Sequence, residues 1–401
     1  MRPEDFFAQL TVDKSAGEKT GFNPYYHTVL SGTENGVISF ERENLIDLAS
    51  NNYLGLACDP RVKEGIERAA RTYGASLCGT PIATGYTGEM ARLEKTLARF
   101  VGLEAALVFP SGYQANAALF SAIAQKQDLI LVDHYAHASL IHGAKSTGCK
   151  FRPFLHNNMG HLERQLQRAS SHRQVFVVTE SVFSIEGSIA PIKELAELCD
   201  HYNALPVVDD SHGIGVLGTR GHGILEHADL EHFEGIYTAS LGKALANAGG
   251  MVAGPANLIE YLRYYCPGLV YSTALPPSTI GGVLAVLDII EKEFHTLSGR
   301  MWRNKAMLVD GLCGSGFEIV DSEAPITSIR CESAEQTVAL SKLLFQNGIA
   351  STPFIPPSVP SHACTVRLIA GAGVSEEDMK RVLEVFQRIA VQERPGTKKS
   401  P

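Results

Sequence analysis

Between residues 103 and 208 short apolar runs alternate with amphipathic stretches. Strands are predicted at 105–109, 129–132, 150–155, 174–179 and 205–208, with helices at 111–125, 136–147, 161–169 and 192–202 between them. Helices of that length joining consecutive strands imply crossover connections and a mostly parallel sheet. In such sheets ligands gather beyond the carboxyl ends of the strands. There this chain places polar or turn-forming residues: Ser111 and Gly112, Asp133 and His134, Glu180 and Ser181, and Asp209 to His212. After residue 254 the rhythm changes. A long helix is predicted over 276–294, then strands near 317–320, 326–329, 349–355 and 365–369, with a helix at 334–347. A final helix is expected from an N-cap at Ser375, with Glu376, Glu377 and Asp378 in its first turn, to about residue 392. The expected division is an extended, turn-rich arm (1–48), a large α/β unit (49–285) and a smaller C-terminal α+β unit (286–401) ending in a frayed 395–401 tail.

Composition narrows the classes. The 401 residues are 45% hydrophobic and 19% charged, which excludes disorder as the main state. A net charge of −8 is not the basic footprint of a nucleic-acid binder. The eight cysteines are scattered without a C-x-x-C pair, which reads as reduced thiols and neither a disulfide framework nor a metal site. A charged N-terminus without an apolar run, and no stretch near the ~20 residues needed to span a bilayer, point to a cytoplasmic protein. Glycine is enriched at 37 residues, about 9% against a usual ~7%.

The most suggestive glycines are misleading. Gly213, Gly215 and Gly218 match G-x-G-x-x-G, but four polar residues separate them from the strand and they run into further glycines instead of opening a helix. A dinucleotide fingerprint needs the opposite context, so a glycine-rich loop beneath a site is expected and a Rossmann oxidoreductase disfavoured. The stronger signal is Asp209-x-x-His212 followed by Lys243. Lys243 precedes a run of small residues, where its amine can be desolvated and activated for Schiff-base chemistry. Pyridoxal phosphate requires such a lysine and a carboxylate opposite its ring nitrogen, and Asp209 at a strand end suits the second task. The Phe109–Asn116 strand–turn–helix upstream offers backbone N–H groups to a phosphate. His137, after the next strand, could stack on an aromatic ring.

From about Leu45 to Lys380 the chain resembles the α-oxoamine synthases of pyridoxal-phosphate-dependent fold type I. The matches run in order through Ser50–Leu56, Ser111–Tyr113, Ala136–Ser139, Glu180–Gly187, Asp209–His212, Gly242–Ala244, Tyr271–Pro277 and Pro356–Pro360. The resemblance implies a fold type I transferase and a homodimer with shared active sites. It implies Lys243 as Schiff-base lysine and proton shuttle, Asp209 on the ring nitrogen, His212 on the phenolic oxygen and His137 on the ring face. Gly112, Tyr113, Ser240 and the partner's Thr273 would hold the phosphate, with Ser184 close by. Asn51 and Arg367 would bind the substrate carboxylate, and no metal is implied. The implied reaction condenses a small amino acid (glycine, alanine or serine) with an acyl thioester on coenzyme A or a carrier protein, releasing carbon dioxide and thiol. An aldolase or aminotransferase on the same cofactor, or a non-catalytic partner subunit, are the alternatives. Two departures fall on the acyl side: the segment 78–85, with Pro81, lacks the arginine often found there, and Glu89 replaces a histidine.

Overall fold

The computed structural model describes residues 1–40 and 43–393. The expected 395–401 tail lies outside them. The N-terminal region carries elements of its own: helices Pro3–Ala8 and Ser15–Thr20, then strands β1 (Val29–Glu34), β2 (Val37–Phe40) and β3 (Glu43–Asp47). These strands pair antiparallel in sequence order, and Leu45 and Ile46 on β3 are buried.

Seven strands form the central sheet: β4 (Ala105–Phe109), β5 (Leu129–Asp133), β6 (Lys150–Phe154), β7 (Val175–Glu180), β8 (Leu205–Asp209), β9 (Ile236–Ser240) and β10 (Gly250–Gly254). Their order is β4-β10-β9-β8-β7-β5-β6, and only β10 runs antiparallel to its neighbours. Every residue of β5, β7 and β10 is buried, as a sheet covered on both faces requires. The edge strand β6 is largely exposed and carries Lys150, Arg152 and Pro153, residues that discourage further strand pairing.

The mostly parallel α/β sheet is as the hydrophobic rhythm predicts, and β4 matches residue for residue. Helix boundaries differ where capping decides them. The helix expected to begin at residue 136 is Ala138–Ser146, with His137 as its N-cap, so His137 stands outside the helix. The long helix runs on from Pro277 to Ser315, past residue 294 and across 285–286. Leu297, Met301, Leu308 and Leu312 keep its apolar stripe facing the core.

The C-terminal unit adds β11 (Thr327–Arg330), β12 (Ile349–Ala350), β13 (Thr352–Phe354) and β14 (Thr365–Leu368). The single strand expected at 349–355 is broken at Ser351. β12 pairs with β3, while β13 joins β14 and β11 in a separate three-stranded sheet. The strand expected at 317–320 is only an isolated bridge, Ile319 to Ile329. The last helix, Glu376–Glu393, is capped as expected, the Ser375 hydroxyl accepting the Asp378 N–H at 3.1 Å.

Helix Pro60–Tyr73 lies against the long helix at a contact of two glycines. A Cβ on Gly281 would stand 2.3 Å from the Gly65 carbonyl oxygen and 2.7 Å from the Ala69 Cβ. Gly314, on the same long helix, has nothing within 4 Å. Gly281→Ala is therefore expected to destabilise the fold by about 1–3 kcal/mol through overpacking. Gly314→Ala gains up to ~1 kcal/mol from helix propensity. Urea midpoints of the two variants check the contrast.

Candidate active site

The parallel strands deliver polar side chains to one end of the sheet. β7 and β8 pair with Glu180 directly opposite Asp209, and both carboxylates are buried. Asp209 Oδ1 accepts the Ser211 N–H (2.9 Å) and the Ser211 hydroxyl, while Oδ2 accepts the Asn116 amide at 2.6 Å. Ser211 Oγ in turn accepts the Ser240 N–H from β9 at 2.8 Å. Glu180 accepts the His137 N–H at 2.6 Å. Burial, reinforced by the charge of Asp209, pushes the Glu180 carboxyl well above the usual range.

Lys243 sits in the turn between β9 and β10. Burial pulls its amine below the ordinary lysine value, partly opposed by Asp209 and Glu180, while Arg367 adds to the lowering. Its electrostatic neighbours are thus residues from β7, β8 and β14. His212 is buried, its Nδ1 sharing a 2.7 Å hydrogen bond with the Tyr53 hydroxyl. Burial, Lys243 and Arg367 together hold His212 well below the usual histidine value, which makes it neutral. The His137 ring is likewise lowered, by burial first and then Lys243, against the opposing pull of Asp209.

The phosphate end is built from backbone. In helix Gly112–Ile123 the N-cap Ser111 takes the Gln114 N–H on its hydroxyl and the Ala115 N–H on its carbonyl. The Gly112 and Tyr113 N–H groups ahead of them have no acceptor within the helix and lie at its positive dipole end. A Cβ on Gly112 would stand 2.9 Å from the Ser240 Cβ, so only glycine permits β9 this close. Ser240 Oγ accepts the Gly242 N–H at 3.1 Å, leaving its hydrogen free to donate.

Arg367 on β14 is buried, and its Nη1 donates to the Ser184 carbonyl at 2.9 Å. Its guanidinium lies over the Phe354 ring at 5.0 Å. Arg367 Nε is enclosed without a hydrogen-bond partner, which leaves a donor for a ligand carboxylate; the Asn51 amide oxygen is also enclosed without one, an acceptor that suits a ligand donor, and only its NH2 end could bond a carboxylate. Thr273 is exposed and makes no hydrogen bond to this cluster; its neighbour Ala274 donates to the Gly79 carbonyl at 3.0 Å, tying the 78–85 segment to it.

These groups fit pyridoxal phosphate: free N–H donors for the phosphate, an acceptor carboxylate and an amine held low. Among the described residues no cluster of His, Cys, Asp or Glu could hold a metal ion. Sequence reasoning gave no role to four supports: Tyr53, Asn116, Ser139 and Glu180. Glu180 was visible as an acid at a strand end. Asn116 had the weaker signal of a buried polar residue one turn into a largely apolar helix.

Asp210 differs from its neighbour. Strand alternation turns it to the other face, where it accepts the Tyr237 hydroxyl (2.7 Å) and the Ile224 N–H (2.9 Å) beneath the site. The G-x-G-x-x-G glycines form turns there, as expected of a loop and not a dinucleotide helix.

The sequence pattern of the aminotransferase class I and II family matches residues 43–386. The chain is 35% identical over 353 residues to 8-amino-7-oxononanoate synthase 1 of Bacillus velezensis, spanning 88% of this chain and 90% of that protein. Its fold superposes on serine palmitoyltransferase of Sphingomonas wittichii with a TM-score of 0.92, at 26% identity over 98% of this chain and 100% of the other. A serine palmitoyltransferase structure holding pyridoxal phosphate gives the same TM-score of 0.92 at 25% identity, over 98% and 99% of the two chains.

Burial pushes Asp210 up to about 7 from an ordinary 3.8. Between those values the folded chain keeps a proton that the unfolded chain releases, so stability falls as pH rises through that window. Asp210→Asn removes this component while the raised Glu180 remains. The pH 5-to-8 loss in urea midpoint is expected to shrink in the variant; an unchanged slope would contradict a buried, proton-holding Asp210.

Proposed function

We propose, for a chain that belongs to the aminotransferase class I and II family, the reaction of a pyridoxal-phosphate-dependent acyltransferase. It condenses a small amino acid with an acyl thioester to give an α-aminoketone, carbon dioxide and free thiol. The observation that carries this reading is the meeting of Lys243, Asp209, His212 and His137 at the strand ends with a buried arginine, Arg367, from the C-terminal unit. The curated relative and the structural neighbours support the same class.

Gly112, Tyr113 and Ser240 would hold the phosphate through two N–H groups and a hydroxyl. Asp209 would accept from the ring nitrogen, His212 would bond the ring oxygen, and His137 would cover the ring face. When bound, the cofactor supplies an electron sink for negative charge at the amino acid's α-carbon. Lys243 anchors the cofactor and, once displaced, takes the α-proton and later returns one. Burial holds that amine below the usual lysine range, which favours its neutral, proton-accepting form. Arg367 and Asn51 grip the substrate carboxylate, and the planar guanidinium fixes which α-carbon bond faces the ring. The new carbon–carbon bond joins that carbon to the acyl group, the thiol leaves, and the amino acid's carboxylate departs as carbon dioxide.

The assembly we propose is a homodimer whose sites are completed by the partner's Thr273. Exposed Tyr264, Tyr265 and Tyr271, beside the helix that offers the phosphate cradle, support a covered face there. Eight free thiols support a reducing compartment and cytoplasmic placement; among the described residues no helix is long and apolar enough to cross a membrane.

Purified protein with added pyridoxal phosphate is expected to show a visible absorbance band that Lys243→Ala abolishes, together with thiol and carbon dioxide release from amino acid plus acyl-CoA. A spectrum unchanged in Lys243→Ala would sink the assignment, and amino transfer to a keto acid without thiol release would favour an aminotransferase. Arg367→Lys, which keeps the charge and loses the fork, should raise KM for the amino acid by ~10–100-fold, as expected for about 1.5–3 kcal/mol of charged hydrogen bonding. Steady-state kinetics with saturating thioester measure it.

A further inference from the structure

A closed chain of hydrogen bonds links Asp209 to His137 through two residues with no assigned role. Its direction is set by which groups can donate. A carboxylate only accepts, so the Asn116 atom 2.6 Å from Asp209 Oδ2 is its amide nitrogen. The other end of that amide, Oδ1, is consistent: it accepts the Thr238 hydroxyl at 2.7 Å. The second hydrogen of Asn116 Nδ2 then donates to Ser139 Oγ at 3.0 Å. Ser139 is fully buried, and its one hydroxyl hydrogen has a single acceptor left, His137 Nδ1 at 2.7 Å. The Ser139 N–H points at the same nitrogen, 3.3 Å away. Nδ1 therefore receives two donors and cannot carry a hydrogen of its own in this arrangement.

We propose that Asn116 and Ser139 are positioning residues that fix His137 as the neutral tautomer protonated at Nε2. The same Asn116 amide holds the Asp209 carboxylate. One side chain thereby sets both the group expected on the ring nitrogen and the histidine expected on the ring face. It does so from one turn into the helix whose first N–H groups form the phosphate cradle. His137 then meets a substrate as a hydrogen-bond donor at Nε2 and not as a base there. This rests on the reading of the site as a pyridoxal phosphate site, but the tautomer is a property of the chain and can be measured without the cofactor.

The test is nitrogen NMR of protein labelled with 15N-histidine, with and without pyridoxal phosphate, the His137 signals being those lost in His137→Gln. Wild type should show an unprotonated Nδ1 and a protonated Nε2 at neutral pH in both samples. Ser139→Ala should move both nitrogens toward the averaged shifts of exchanging tautomers, in part only because the residue 139 N–H remains. Ser139→Thr, which keeps the hydroxyl, should restore the wild-type pattern. A protonated Nδ1 in wild type, or shifts unchanged in a Ser139→Ala protein that melts cooperatively, would overturn the proposal. Failure of the cofactor reading would show separately, as a Lys243-independent absorbance spectrum with the apo tautomer intact.

Discussion

Two strands in register bring Glu180 and Asp209 side by side in a buried place, and the residue directly after β8, Asp210, sets a second buried acid on the other face. Burying a carboxylate costs several kcal/mol unless donors or an opposite charge replace its hydration. Most of the surrounding architecture answers that cost. Asn116 and Ser211 donate to Asp209; Tyr237 and the Ile224 N–H donate to Asp210; the His137 N–H donates to Glu180. Lys243 supplies the positive charge, and the acids in turn moderate how far burial depresses its amine. The lysine is thus not left as an isolated buried cation.

The second dependency is between the sheet and the C-terminal unit. The turn after β7 presents main-chain carbonyls outward. Ser184 accepts Arg367 from β14, Ile185 accepts the Ser328 hydroxyl from β11, and Gly187 accepts the Ala324 N–H. His156 steadies the other side of this turn, bonded to Asp133 Oδ1 and Ser188 Oγ at 3.0 Å each. Arg367 therefore reaches the site only when the small sheet is docked on that turn. The place of this guanidinium and the docking of the small sheet on the turn are one variable, because the arginine's position is fixed by the Ser184 carbonyl.

The sheet was legible because most of its strands are buried on both faces and read as apolar runs such as 175–178. Strand ends could also be read, since polar residues interrupt those runs at Asp133, Glu180 and Asp209. What escaped was governed by partners distant in the chain. Nothing local shows that 349–355 must divide, because β12 is taken by β3, some 300 residues earlier. The 277–315 helix looks shorter in sequence because Ser298 and Gly299 imitate a stop, yet a Cβ on Gly299 would meet only an arginine tip at 3.7 Å, and packing of Met301 and Leu308 carries the helix through. Asn116 looks like an ordinary polar residue in a largely apolar helix; its three side-chain hydrogen bonds go to residues 23, 93 and 122 positions away.

The glycine excess divides between two opposite needs. Gly112 is required where donors are presented: its lack of a Cβ lets β9 close on a helix N-terminus whose N–H groups face outward. The 213–223 loop is required where acceptors are enclosed. A Cβ on Gly213 would stand 1.9 Å from Asp210 Oδ1, one on Gly223 2.0 Å from Oδ2, and one on Gly218 2.2 Å from Glu226 Oε2. Gly218 and Gly223 also hold positive φ, at 85° and 94°. A dinucleotide loop wraps an anion that arrives from solution; this one wraps carboxyl oxygens the chain already carries. The G-x-G-x-x-G spacing reports close backbone approach to oxygen. Whether the glycines lead into a helix or into a second turn tells whether that oxygen belongs to a ligand or to the protein.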